Sequence, residues 1–356
     1  KVRKEKLTVI PGEEIFKLYD TYGFPTDLVE ETAKDAGLTL DMEGYTRAMN
    51  EQKTKATASW KGSGEKEVST FYKEFLQTSP PTLFEGYGAV EGEGKVLAIL
   101  KNTAPVESAN AGDEIEFLTD KTPFYGESGG QVGDSGQASN ENVQLELHDA
   151  NKPLPGLIVH KAKITQGTLR TGDTLTLKVN RQTRGDTALN HSATHLLHAA
   201  LKEVLGDHIK QAGSLVASNR LRFDYTHFSP LTDKERTRIE ARVNEKIREN
   251  IQVYTKEMEI DNAIKEGAMA LFGEKYGETV RVVDVPGFSK ELCGGTHVNA
   301  TGDIGLFRIT SEGGIASGVR RIEAVTGATA YDTIRAEQES LSAIRDLLKA
   351  PSNEEL

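Results

Sequence analysis

"GDTALNHSATHLLHAALKEVLG", residues 185 to 206, is the stretch around which the rest of the chain is read. At roughly 100° per residue, Leu189, Leu196, Leu197, Ala200, Leu201 and Val204 gather on one side of a helix, and His191, His195 and His198 gather on the other. Asp186 is the expected N-cap and Gly206 the expected C-cap. His191 and His195 stand four residues apart, one turn apart on the same face, so both can point at one ion. Zinc takes imidazole nitrogens at about 2.0 to 2.1 Å. A single histidine is more often an ordinary core or surface residue, and the pair needs further ligands to mean more.

A second motif supplies them. "ELCGGTHV", residues 291 to 298, holds Cys293, the only cysteine among 356 residues, and His297 four positions later. On a glycine-rich turn this spacing brings a thiolate and an imidazole to one point, and two such pairs give the four ligands of a zinc site. The expected ligands are His191, His195, Cys293 and His297, with His198 kept as a residue that supports the ligands or the structure. Metalloproteases with H-x-x-x-H carry a glutamate after the first histidine as general base. Here that residue is Ser192, so a peptidase would lack its base.

The surrounding chain reads as α+β. Residues 1–76 carry helical spacing, interrupted by a polar, linker-like "SWKGSGEKEVST" before the next helix. Residues 77–185 contain short alternating runs, "KVLAIL", "DEIEFL", "VQLELHD", "LIVHKAKI" and "DTLTLKV", which predict a small antiparallel, barrel-like β domain. Residues 186–330 mix helices with the strand-like "ETVRVVDV", "DIGLFRIT" and "VRRIEAV" around the zinc site, and 331–356 begin a further helix. Thr232 with Glu235 forms a capping box, and Ile239, Val243 and Ile247 form an apolar stripe, so the charges of "TDKERTRIEARVNEKIREN" belong to a solvated face.

Hydrophobic residues make up 37% of the chain, enough for two or three ordinary cores. No apolar run approaches the roughly 18 residues of a membrane span, and no disulfide framework can form, so a cytoplasmic location without membrane contact is expected. The chain starts at Lys1 rather than methionine, which suggests a piece of something longer. A net charge of -11 argues against broad adsorption to DNA or RNA, although a local basic patch can hold a few phosphates. Lys275, Arg320 and Arg321, set among glycines, are the best candidates for RNA contact. In "FYGESGGQVGDSG", Gly126, Gly129 and Gly130 suit either a tight β turn or a loop offering backbone amides to a ligand. The lysine and hydroxyl residue of a phosphate-binding P-loop are missing.

Taken in order, "NHSATHLLHAAL", "QAGSLV", "LRFDY", "GAMALFGEKYGE", "ELCGGTHV", "TGDIGLFRI" and "GVRRIEAVTG" resemble the editing domain of alanyl-tRNA synthetases. "FKLYDTYGFPTDL" resembles the end of their helical tRNA-recognition region. The resemblance implies one Zn2+ on the same four ligands, and hydrolysis of tRNA(Ala) mischarged with serine or glycine. It points to Thr194 for the serine hydroxyl, to Gln211 for a place in the editing pocket, and to Gly126, Gly129 and Gly130 for a substrate loop. No stretch resembles the aminoacylation motifs, so ATP and Mg2+ would serve only a charging core absent from this chain. An alanine pocket cannot exclude the smaller glycine and rejects serine weakly, which is why a second, hydrolytic sieve is needed. The alternative is a non-catalytic, zinc-stabilised tRNA-binding module, since four protein ligands leave zinc no open position for water.

Overall fold

The computed structural model describes residues 8–22, 26–35, 37–49, 70–270, 277–349 and 352. Lys275 and nearly all of the linker-like "SWKGSGEKEVST" lie outside them. The chain divides into two compact units, one of residues 1–67 with 316–318 and one of 68–315 with 319–356.

In the first unit, α1 (Gly12–Tyr22) and α2 (Thr26–Asp35) accompany a short parallel pairing of Val9–Ile10 with Thr39–Leu40. Among its described residues, Ile15, Val29 and Ala33 are buried and apolar.

The second unit opens with α3 (Thr70–Thr78), most of which falls within the segment 1–76 assigned from sequence to the N-terminal helices. It belongs instead to the β domain. Tyr72 is buried with Leu100, Leu118 and Leu157, Phe71 and Phe75 pack beside it, and its hydroxyl donates to the Glu116 carboxylate.

Six strands then form a closed antiparallel barrel: β1 (Glu91–Lys101), β2 (Glu114–Thr119), β3 (Gly136–Ser139), β4 (Val143–Leu154), β5 (Leu157–Arg170) and β6 (Thr174–Val179). The order is β4-β3-β6-β1-β2-β5, and β5 pairs back onto β4 to close it. Closure leaves none of the six strands as a free edge. The period of two is plain in β4, where Val143, Leu145 and Leu147 are buried and Gln144 and Glu146 are exposed.

One residue past β6 the long helix α4 (Arg181–Leu205) begins. It starts earlier than expected, because Asn180 rather than Asp186 is the N-cap, its side chain accepting from Thr183 N. Asp186 lies inside the helix and accepts from the Gln182 amide one turn back. Gly206 ends the helix with φ 113°, its N–H donating to Lys202 O.

Two sheets and α5 (Asp233–Arg248) surround α4. The first sheet runs β7-β8-β13-β12, from β7 (Gln211–Val216), β8 (Leu221–Thr226), β12 (Phe307–Ala316) and β13 (Val319–Thr326). The strand in "DIGLFRIT" starts only at Phe307, because Thr301–Ile304 is a 3-10 turn. The second is an antiparallel meander of β9 (Tyr254–Glu259), β10 (Thr279–Val285) and β11 (Ser289–Leu292). Leu196, Leu197, Ala200 and Leu201 share a core with Phe223, Ile322 and the Ile239, Val243 and Ile247 stripe of α5. Thr232 and Glu235 form the capping box of α5, and its charges pair at the surface, as in Arg242 with Glu203 and Glu245. The final helix, α7 (Gly327–Leu348), follows the short α6 (Ile260–Lys265) in chain order.

Barrel and helix are pinned by one buried ion pair. Arg184, in the first turn of α4, donates to Asp134 and to the carbonyls of Gly86 and Pro123, the last two each at 2.8 Å.

Candidate metal centre

The histidine face of α4 does not look into solvent. Every residue from Asn190 to Leu201 is buried, so the histidines are inside the protein although they stand opposite the main apolar stripe. The structure brings His191 and His195 together with Cys293 and His297 from the loop after β11. Their ligand atoms all lie within 4.8 Å of one another. Cys293 Sγ is 3.4 Å from His191 Nε2 and 3.3 Å from His297 Nε2.

The loop geometry explains the second of the two glycines. A Cβ on Gly295 would stand 2.1 Å from His191 Cε1 and 2.8 Å from Gln131 Oε1, closer than atoms can pack. The loop is held from outside as well. Arg281 donates to the carbonyls of Cys293 (3.0 Å) and Gly295 (2.8 Å), and Tyr87 Oη donates to Gly294 O (2.6 Å). The Arg281 guanidinium stacks 4.2 Å above the Tyr87 ring.

Each histidine of the cluster is oriented through its Nδ1. His191 Nδ1 is 2.8 Å from Gln131 Oε1, His195 Nδ1 is 2.9 Å from Glu291 Oε2, and His297 Nδ1 is 3.1 Å from Ser192 Oγ. A carboxylate and an amide oxygen can only accept, so His191 and His195 carry hydrogen on Nδ1. Their Nε2 atoms are left facing the cluster. His195 Nε2 is buried and has no hydrogen-bond partner. An orphaned imidazole nitrogen aimed at a thiolate and two further imidazoles is what a tetrahedral His3Cys site presents, and these residues fit zinc.

Without a metal, the Glu291 and Cys293 anions hold a proton on His195 that a metal ion would displace. Burial opposes charge on His195, but Glu291 and Cys293 outweigh it and raise its pKa to about 10. Burial likewise opposes ionisation of Glu291 and of the Cys293 thiol. The histidines win at both, holding the carboxyl and the thiol well below their ordinary ranges. Burial dominates at His297 and pushes it down to about 3, a neutral ligand at physiological pH. Together these groups form a site that accepts positive charge.

Other sequence-named residues fall at varying distance from this centre. His198 Nδ1 lies 3.3 Å from Glu291 Oε1 without the alignment of a hydrogen bond, so His198 meets the same carboxylate as His195. Thr194 is buried one residue before His195 and donates to Asn190 O at 2.8 Å, which leaves its oxygen able to accept. Gln211 opens β7 opposite Tyr225, half-buried, and makes no hydrogen bond to the four ligands among the described residues. Gly129 and Gly130 occupy the two positive-φ positions of a tight turn closed by Ser128 and Gln131, and Gly126 packs against Asn151. Arg320 is paired with Glu312 and Arg321 with Asp224. Sequence reasoning missed Gln131, Glu291, Tyr87 and Arg281. The position of Glu291, two residues before Cys293 in a strand-like run, was the one available hint.

The geometry defines a His3Cys centre, two ligands buried and two half-buried, in an α+β body beside a closed β-barrel. The profile of tRNA synthetases class II (A) matches residues 1–183. That of the threonyl and alanyl tRNA synthetase second additional domain matches residues 280–323, which include Cys293 and His297. The alanine–tRNA ligase of Xanthomonas campestris pv. campestris (strain 8004) is 52% identical over 347 residues, 97% of this chain and 39% of the ligase. Those of Xanthomonas axonopodis pv. citri (strain 306) and Xanthomonas oryzae pv. oryzae (strain PXO99A) are 51% identical with the same coverage. The chain belongs to the class II (A) tRNA synthetase family, and within it is similar to alanyl-tRNA synthetases, of whose length it spans about 39%.

Proposed function

We propose that this chain carries the editing activity of an alanyl-tRNA synthetase, hydrolysing the ester of Ser-tRNA(Ala) and Gly-tRNA(Ala). The observation that supports this most is the convergence of His191 and His195 with Cys293 and His297, the last two inside the stretch matching the second additional domain, on one point. Barrel and α+β body would act as one editing unit, with residues 331–356 opening the helical region beyond. On this reading the charging of tRNA(Ala) with alanine, using ATP and Mg2+, is the work of the rest of the parent enzyme.

Zinc on these ligands would supply a Lewis acid able to polarise the ester carbonyl or hold the substrate's amino acid. The chain's own groups do the discriminating. Thr194 Oγ1 donates to its helix and keeps lone pairs for a serine hydroxyl, a contact alanine cannot make. Gln211 would orient the substrate or a water from the head of β7. Gly126, Gly129 and Gly130 would let the tRNA 3′ end approach the backbone. Lys275, Arg320 and Arg321 would meet tRNA phosphates, the two arginines with their paired carboxylates already in place.

Thr194→Val tests this at constant volume. The preference for Ser-tRNA(Ala) over Ala-tRNA(Ala) should fall about tenfold or more, the worth of one hydrogen bond of roughly 1.4 kcal/mol. An unchanged preference would remove Thr194 from the account. Four protein ligands favour one other reading, a tRNA-binding module in which zinc is only structural. The absence of hydrolysis by zinc-loaded, tRNA-binding protein would decide for it.

A further inference from the structure

We infer that Gln131, carried on the barrel's glycine-rich loop, is a positioning residue of the metal centre: it fixes the tautomer of His191 and seats the Cys293–His297 loop. The barrel is then a working part of the metal site.

Gln131 is fully buried. Its Oε1 lies 2.8 Å from His191 Nδ1 and 2.9 Å from Thr296 N, and its Nε2 lies 3.0 Å from Thr296 Oγ1. The Thr296 backbone nitrogen is a donor without alternative, so it fixes which end of the amide faces it. The flipped amide would set N–H against N–H. With Oε1 so placed, the His191 proton must sit on Nδ1, and Nε2 keeps its lone pair toward Cys293 Sγ. One amide thus ties a ligand on α4 to the loop that carries the other pair.

The loop that holds Gln131 is itself constrained. Gly129 (φ 57°) and Gly130 (φ 83°) make the turn immediately before it. A Cβ on Gly130 would come within 2.8 Å of Ser214 O, a contact only glycine avoids. Val216 N donates to Gly130 O (2.7 Å) and Val132 N to Val216 O (3.0 Å), so β7 grips the segment on both sides of Gln131. The histidines His195 and His297 find their Nδ1 partners, Glu291 and Ser192, inside the α+β body. His191 alone draws its acceptor from the barrel.

The test compares Gln131→Met, which keeps volume and loses the acceptor, with Gln131→Glu, which keeps an acceptor for both His191 and Thr296. Zn2+ affinity of the whole chain is read by competition with a chromophoric chelator, with thermal unfolding of the zinc-free proteins alongside. The expected result is a loss of roughly 10- to 100-fold for the Met variant, the usual cost of removing a ligand's outer partner, with the Glu variant holding zinc as tightly as the native chain. A Met variant that keeps native affinity overturns the inference. So does a Glu variant as weak as the Met variant. If the Met variant fails to fold, the Glu variant decides alone, tight binding supporting the role and weak binding refuting it. None of these readouts depends on the editing reaction, so failure of that reading would leave them interpretable.

Discussion

Glu291, on β11 two residues before Cys293, places its Oε2 2.9 Å from His195 Nδ1. A single buried carboxylate thereby orients one ligand while its own backbone leads directly into another. Glu291→Ala should weaken Zn2+ binding roughly 10- to 100-fold. It should also destabilise the zinc-free protein by roughly 3–5 kcal/mol, since His195 is left without its counter-ion. Chelator competition and denaturant unfolding with chelator present measure the two effects separately.

The two glycines of the ligand loop should differ sharply. Gly295→Ala places a Cβ 2.1 Å from His191 Cε1, and the purified variant should lose its zinc. At Gly294 the nearest atom to a Cβ is Tyr87 Oη at 3.9 Å, so Gly294→Ala should keep a full equivalent. Metal content per chain reads both, and equal loss in the two would show that loop flexibility rather than contact with His191 governs binding.

Arg184→Met leaves Asp134 as a buried carboxylate whose side-chain counter-ion is gone, and it strips the donors from Gly86 O and Pro123 O. Removing one partner of such a pair costs roughly 3–5 kcal/mol. Urea unfolding should show a loss of that size, with zinc released at lower denaturant than in the native chain.

His160 sits inside the barrel between the Thr122 hydroxyl (2.8 Å) and Phe117 O (3.2 Å), and burial lowers its pKa to about 4. The unfolded chain takes up that proton below its ordinary value of 6.5, while the folded chain resists until about 4. Stability from this group is therefore full above pH 6.5 and is lost as the pH falls toward 4, by roughly 3 kcal/mol. His160→Gln should flatten the pH dependence of unfolding by that amount over the same window. Parallel curves for the two proteins would contradict it.

Much of the fold was legible in the sequence because local signals and tertiary packing agreed. Alternation marked the barrel strands, and Thr232 with Glu235 marked the start of α5. The ligand motifs were readable because each pair is local, one helical turn or one loop apart. The helix start was not, since Asn180 and Asp186 have the same capping chemistry and only the end of β6 at Val179 selects the first. The burial of the histidine face was hidden too, because α4 is amphipathic in sequence yet enclosed by two sheets, α5 and the barrel loop. Gln131 is 60 residues from His191 in the chain, and only the barrel's closure brings them together. Arg320 and Arg321 read as free cations because their partners Glu312 and Asp224 lie on neighbouring strands, a register that no single sequence displays.

Editing by this chain is tested most directly by deacylation of Ser-tRNA(Ala) and Ala-tRNA(Ala), with zinc quantified on the same sample and Cys293→Ala beside it. Serine-selective release by the native protein, lost together with the zinc in the variant, is the expected result. Zinc-loaded native protein that binds tRNA and releases neither amino acid would contradict it.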